Sequence, residues 1–181
     1  MSVNAARSTS PRKRPELETL YRQHASFVWR AVRRMGIPES SAEDVVQEVF
    51  LVARRRLPDY EGRGAPTSWL YAIARGVARN HRRGRARAER RLAVVPSPVP
   101  APSPEEELGR ADAAELIRTF LNGLPPGQRE VFVLADIEGM RGPEIADALG
   151  TKLNVVYSRL RLARRRLRRY LAQVGETQEQ P

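Results

Sequence analysis

The chain contains no cysteine, which excludes disulfides, thiolate metal sites and thiol redox sensing. Histidine is almost as scarce: His24 and His81 stand far apart, without metal-ligand spacing, so neither a metal nor any other cofactor is expected. No apolar run approaches the roughly 20 residues that a membrane span requires, and the N-terminal MSVNAARSTSPRKRP lacks the apolar heart of a secretory signal. No membrane insertion and a cytoplasmic location are expected. Strand-like alternation of convincing length is missing everywhere, and no catalytic constellation is visible, so the expectation is a protein that is not an enzyme. A last absence is local. From Asn154 to Val174 there is not one acid, although the stretch is crowded with arginine. A solvated helix normally mixes both signs, because like charges four apart repel. The missing negative charge is therefore expected from outside the chain.

What is present fits that expectation. Of 181 residues 41% are hydrophobic, enough for one domain or two small ones, and the formal net charge is +11. Such an excess points to a polyanion as partner, nucleic acid before an anionic membrane surface. From Ala93 to Leu108 the sequence AVVPSPVPAPSPEEEL carries proline at alternate places and no helical period, which makes it an extended, semi-stiff linker. It separates a unit at 16–92 from one at 109–174, with a basic arm read as disordered at 1–15 and a tail at 175–181.

Both units read as helical, so the predicted fold class is all-α. Glu16 to Met35 places Leu17, Leu20, Tyr21, His24, Phe27, Val28, Ala31 and Val32 at spacings of three and four, and Gly36-Ile-Pro38 stops the helix. Ser40 or Ser41 is the expected cap of a second helix, with Glu43 and Asp44 in its first turn. PDYEGRGAP, Pro58 to Pro66, reads as a loop, after which Thr67 or Ser68 caps a helix from Trp69 to about Arg83. In that helix Trp69, Leu70, Ile73 and Val77 face the core, and Ser68, Arg75, Arg79, Arg82 and Arg83 face outward. The C-terminal unit has helices at Asp112 to Asn122 and Gln128 to about Ile137, separated by Gly123-Leu-Pro-Pro-Gly127, and a third with Pro143 at its first position.

Pro143 to Leu149, a turn at Gly150, and a helix from about Asn154 have the proportions of a helix-turn-helix. Val156, Leu160, Ala163, Leu167 and Leu171 form one stripe toward the core. The opposite side offers Asn154, Tyr157, Ser158 and Arg159 near the start, suited to base edges, then Arg161, Arg164, Arg165 and Arg168, suited to phosphate. An amphipathic helix lying on a membrane would not explain the turn ahead of it.

Three blocks in this order resemble a known family. LPPGQREVFVLADIEGMRGPEIADALGTKLNVVYSRLRLARRRL is similar to the promoter-binding C-terminal domain of bacterial RNA polymerase sigma factors of the two-domain, extracytoplasmic-function type. AEDVVQEVFLVARRRL resembles their polymerase-docking helix, and TSWLYAIARGVARNHRR the helix that reads and melts the minus-ten element. The resemblance covers nearly everything from about Glu16 to Leu171. It implies promoter DNA and core RNA polymerase as partners, the latter through its largest-subunit coiled coil and its flap, and an anti-sigma protein as regulator. The implied docking set is Asp44, Val45, Gln47, Glu48 and Leu51, although Glu43 and Asp44 also suit simple helix capping. On the third helix Arg75, Arg79, Arg82 and Arg83 are implied to meet DNA, with Asn80 best placed for a base. Tyr60 and Arg63, in the loop before it, are candidates for holding a flipped base, ordinary loop roles remaining open. Glu105-Glu-Glu107 is either a nucleic-acid mimic in the polymerase channel or the first turn of the next helix. The sequence departs from the family at Gly76 and Asn80, at Arg141-Gly-Pro143, and at Asn154-Val-Val-Tyr-Ser-Arg159. Promoter sequence therefore does not carry over. Two rivals remain: a free-standing helix-turn-helix regulator, and a DNA-cutting or rejoining enzyme delivered by such a motif.

Overall fold

The computed structural model describes residues 15–60, 62, 64–92 and 108–178. The arm, most of the linker with Glu105 to Glu107, Arg63 and the end of the tail lie outside them. Among the described residues every regular element is helical, and no helix is long and apolar enough to cross a membrane. The chain divides into two compact units at Arg82–Arg83, and each is described by itself.

In the first unit α1 spans Leu17–Arg34 and α2 spans Glu39–Arg56. Gly36, at φ 84°, closes α1: its N–H donates to Arg33 O at 3.0 Å, and Ile37 N–H donates to Val32 O at 3.2 Å. Those paired bonds satisfy carbonyls that the helix end would leave open, and only a residue without Cβ takes that φ cheaply. The chain then reverses, so Leu20, Phe27, Val28 and Val32 of α1 bury against Val45, Val46, Val49 and Phe50 of α2. Each such side chain contributes about 1.5–3 kcal/mol on leaving water. Tyr21 meets Phe50 edge-on at 4.9 Å yet stays half exposed.

Two expected caps are corrected. α2 begins at Glu39 behind the extended Pro38, with no side-chain cap, so neither Ser40 nor Ser41 caps it and Glu43 and Asp44 fall in the second turn. Arg33 secures the junction instead, donating to Ile37 O at 3.0 Å and approaching Glu39 at 3.4 Å. α3 begins at Pro66 and runs to Leu92, earlier and longer than predicted. A fixed φ suits proline to a first helical turn, and Ala65 O accepts from Ser68 and Trp69 N–H. Ser68, predicted to face outward, is consequently inside the helix and only 4% exposed. Leu70, Tyr71, Ile73, Ala74, Val77 and Ala78 complete this core.

In the second unit α4 spans Leu108–Gly123, α5 Pro126–Phe132, α6 Gly142–Leu149 and α7 Leu153–Gln178. α5 widens into a π-helical turn at Val133–Ile137, closed by Glu138 N–H to Val133 O at 2.9 Å. The core gathers Leu134, Ile145, Val156 and Ala163, with Phe120 edge-on to Phe132 at 5.4 Å and beside Tyr170 at 5.7 Å. The predicted apolar stripe of α7 ends early: Val156, Leu160 and Ala163 are buried, Leu167 is half-buried, and Leu171 is 50% exposed.

Candidate nucleic-acid and protein interfaces

The turn between α6 and α7 is built around Gly150, at φ 61°. Gly150 N–H donates to Asp147 O and Thr151 N–H to Ala146 O, the same pair of closing bonds as at Gly36. At the other end of α6 the Glu144 carboxylate accepts from Arg141 N–H at 2.9 Å and from the Arg141 guanidinium at 2.9 and 2.6 Å. These bonds hold the Glu144 carboxyl below its ordinary range and raise Arg141 above its own. The helix therefore keeps an acid over its positive end without the usual hydroxyl cap.

One turn is 3.6 residues, so α7 presents four sides. The inner side is Val156, Leu160 and Ala163. On one flank Tyr157 lies against Gly142, and Arg164 donates to Asp136 in the π-helical turn at 3.1 and 2.5 Å. That two-pronged bond raises the Arg164 pKa further. On the other flank the Arg159 guanidinium sits over Gly127, where a Cβ would lie 3.2 Å from its Cζ, and Arg166 donates to Gln128 at 3.0 Å. The outward side is the row Asn154, Ser158, Arg161 and Arg165. All four are exposed, and their side chains make no hydrogen bond or ion pair with another described residue. The expectation that the whole basic face needs outside charge is thus corrected for Arg164, which has an internal carboxylate, and narrowed for Arg159, which is drawn back toward α5. Sequence reading missed Asp136 and Gln128 as partners, since 28 and 38 positions separate them from their arginines.

On α3, Arg75, Arg79, Arg82 and Arg83 recur at spacings that gather them on one exposed side, with Asn80 beside them. Tyr60 is corrected as a stacking platform for a base. It is 8% exposed, its ring packs on Trp69 at 4.7 Å, and its hydroxyl donates to Gly64 O at 2.8 Å. Arg63 lies outside the described residues.

On α2, Asp44, Gln47, Glu48 and Leu51 are exposed and share a side, Leu51 at 55%. Val45 is corrected as a docking residue: at 1% exposure it belongs to the core with α1. Trp29 on α1, 40% exposed with Arg33 over its ring at 5.7 Å, is a further exposed aromatic that sequence periodicity did not single out.

Comparison with known proteins gives this geometry its relatives. Residues 20–88 match the family model Sigma-70 region 2, and residues 114–167 match Sigma-70, region 4. The chain is 37% identical over 166 residues to the ECF RNA polymerase sigma factor SigE of Mycolicibacterium smegmatis, a match covering 87% of this chain and 62% of that one. It is 33% identical to the RNA polymerase sigma factor NccH of Alcaligenes xylosoxydans xylosoxydans, over 82% of each chain. Among solved structures, CnrH in complex with the cytosolic domain of CnrY is similar at a TM-score of 0.62 and 28% identity, covering 87% of this chain and 88% of that one. On the two matched regions and these relatives, the chain belongs to the extracytoplasmic-function group of the sigma-70 family, the bacterial transcription initiation factors.

Proposed function

We propose that the chain binds core RNA polymerase through the outward side of α2, reads an upstream promoter element with α7, and helps melt the downstream element with α3. The observation that carries this reading is the open row Asn154, Ser158, Arg161 and Arg165, facing away from a buried stripe on the second helix of a helix-turn-helix. Hydrogen-bonding groups stand at its start, with Arg161 one turn on for a base and Arg165 beyond for phosphate, the order in which a helix entering the major groove meets bases and then phosphates. Affinity arises largely from phosphate neutralisation and from the polymerase surface, and specificity from base contacts. The exposed basic side of α3, with Asn80, supplies a second DNA contact. The acidic and amide residues Asp44, Gln47 and Glu48 beside Leu51 form the docking surface on an otherwise basic chain. An anti-sigma protein is the fitting regulator, the similar sigma factor RpoE having been solved in complex with the anti-sigma factor NepR from Bartonella quintana.

The test is assembly with core polymerase. Wild type co-purifies stoichiometrically and directs run-off transcription from selected promoters. The double charge reversal Asp44→Lys with Glu48→Lys weakens polymerase binding by on the order of tenfold while helicity by circular dichroism is unchanged. Unaltered polymerase binding in that variant removes α2 from the interface. Tight binding to a palindromic site without polymerase supports the free-standing regulator instead, and cleavage of DNA the enzyme reading.

A further inference from the structure

Gly142 is the first residue of α6, and a Cβ there would lie 2.8 Å from Tyr157 Cε1 and 2.9 Å from its Cζ and Oη. Carbon atoms in ordinary contact stay about 3.5–4.0 Å apart, so the tyrosine ring occupies space that only glycine leaves empty. The hydroxyl end and one ring edge are thereby turned onto α6. Even so, Tyr157 remains 53% exposed. It stands one turn after Asn154 and one before Arg161, along the flank of the outward row. A tyrosine has two rotatable side-chain bonds, and this one is already seated, so placing it against DNA loses little freedom.

We infer that Tyr157, seated on Gly142, is a specificity-determining residue whose outer ring edge recognises the C5-methyl of a thymine in the major groove. The inference rests on the reading of α7 as the groove-entering helix. The thymine methyl is the one apolar feature on the major-groove edge of the bases, and an aromatic carbon edge held at fixed position suits it, whereas Asn154 and Ser158 suit the polar edges. Gly142 acts as the positioning residue. Its φ is not in the left-handed region, so alanine is tolerated by the backbone, and the three nearest atoms all belong to the far end of the Tyr157 side chain. Gly142→Ala therefore moves the ring without breaking the fold.

The experiment uses holoenzyme assembled from the full chain and core RNA polymerase. An upstream element is selected from a duplex library and then remade with deoxyuridine, which lacks the methyl, in place of each thymidine in turn. At one thymine wild type loses about fourfold in binding, the worth of a single buried methyl, and Tyr157→Phe loses the same. Gly142→Ala and Tyr157→Ala, with melting curves like wild type, bind the thymine duplex correspondingly more weakly and no longer distinguish it from deoxyuridine. Three results overturn the inference while leaving the groove reading intact: an element with no methyl-sensitive thymine, a Gly142→Ala variant that still senses the methyl, or sensitivity lost in Tyr157→Phe. A holoenzyme that selects no upstream element overturns the groove reading and the inference with it.

Discussion

α3 and α7 are nearly equal in length, 27 and 26 residues, and both are dense in arginine, yet they handle that charge differently. On α3 the cations Arg79, Arg82 and Arg83 share one exposed side opposite a continuous core stripe from Leu70 to Val77. On α7 the charge is divided. Arg164 is bound two-pronged by Asp136, Arg166 donates to Gln128, Arg159 is laid over Gly127, and Arg161 and Arg165 remain outward. Beyond the core stripe, the flanking arginines of α7 tie it to α5 and to the π-helical turn, and so serve as struts. The number of arginines on a helix therefore overstates the surface available to DNA, and packing decides which of them read.

The largest effect that sharpens this contrast is expected at Arg161. Arg161→Ala should cost about 1–3 kcal/mol at the selected upstream sequence and far less on scrambled DNA, as for a base contact. Arg79→Ala on α3 should weaken binding alike on all sequences, lowering the salt slope by about 1, as for a phosphate contact. Arg159→Ala should resemble Arg79→Ala, because its guanidinium is drawn toward α5. Holoenzyme binding to specific and scrambled duplexes across a salt series measures all three. Sequence-selective loss at Arg159 with none at Arg161 would exchange their roles and break the division of α7 into row and struts.

A smaller effect probes a strut. In Asp136→Asn the Arg164 guanidinium loses its carboxylate, and the chain gains one net positive charge. The stability lost should be within about 1 kcal/mol, since both partners of the pair are partly exposed. Non-specific DNA affinity should rise and its salt slope steepen by about 1 as Arg164 becomes available to phosphate. An unchanged slope would mean that Arg164 meets DNA in wild type in spite of Asp136.

These struts explain where the sequence was legible. The buried stripe of α7 and the turn at Gly150 follow from local rules, a 3.6-residue period and a left-handed glycine, and local rules survive without knowledge of the rest of the chain. The pairing of Arg164 with Asp136 does not, because it depends on the π-helical turn at Val133–Ile137, whose extra width redirects Asp136 and has no signature in apolar periodicity. Val45 and Tyr60 were misplaced for a related reason. A valine on an edge of α2 is interior or exposed according to how α1 lies over it, and a tyrosine in a glycine-rich loop is free until Trp69 and Gly64 O are known to receive it. What the sequence established was chemistry and order; which of two neighbouring residues faces out was set by contacts from distant positions.

The smallest effect tests how the two long helices are approached. α3 starts on Pro66 with no acid in its first turn, whereas α7 is reached through α6, whose first turn carries Glu144. That carboxylate accepts from Arg141 N–H and the Arg141 guanidinium, which lowers its pKa in the folded chain. A depressed carboxyl contributes stability that is fully present above its unfolded pKa and is lost as pH falls through the lower, folded value. At neutral pH Glu144→Gln should therefore melt earlier than wild type, by a few tenths of a kcal/mol up to about 1, as befits a helix-end charge whose partner Arg141 is exposed. As the solution is acidified below the ordinary carboxylate range, wild type should lose that margin and the two melting curves should converge. Convergence already at neutral pH, or a gap that persists in acid, would show that Glu144 holds α6 by shape alone. In that case the start of α6 would behave like that of α3, whose first turn carries no acid.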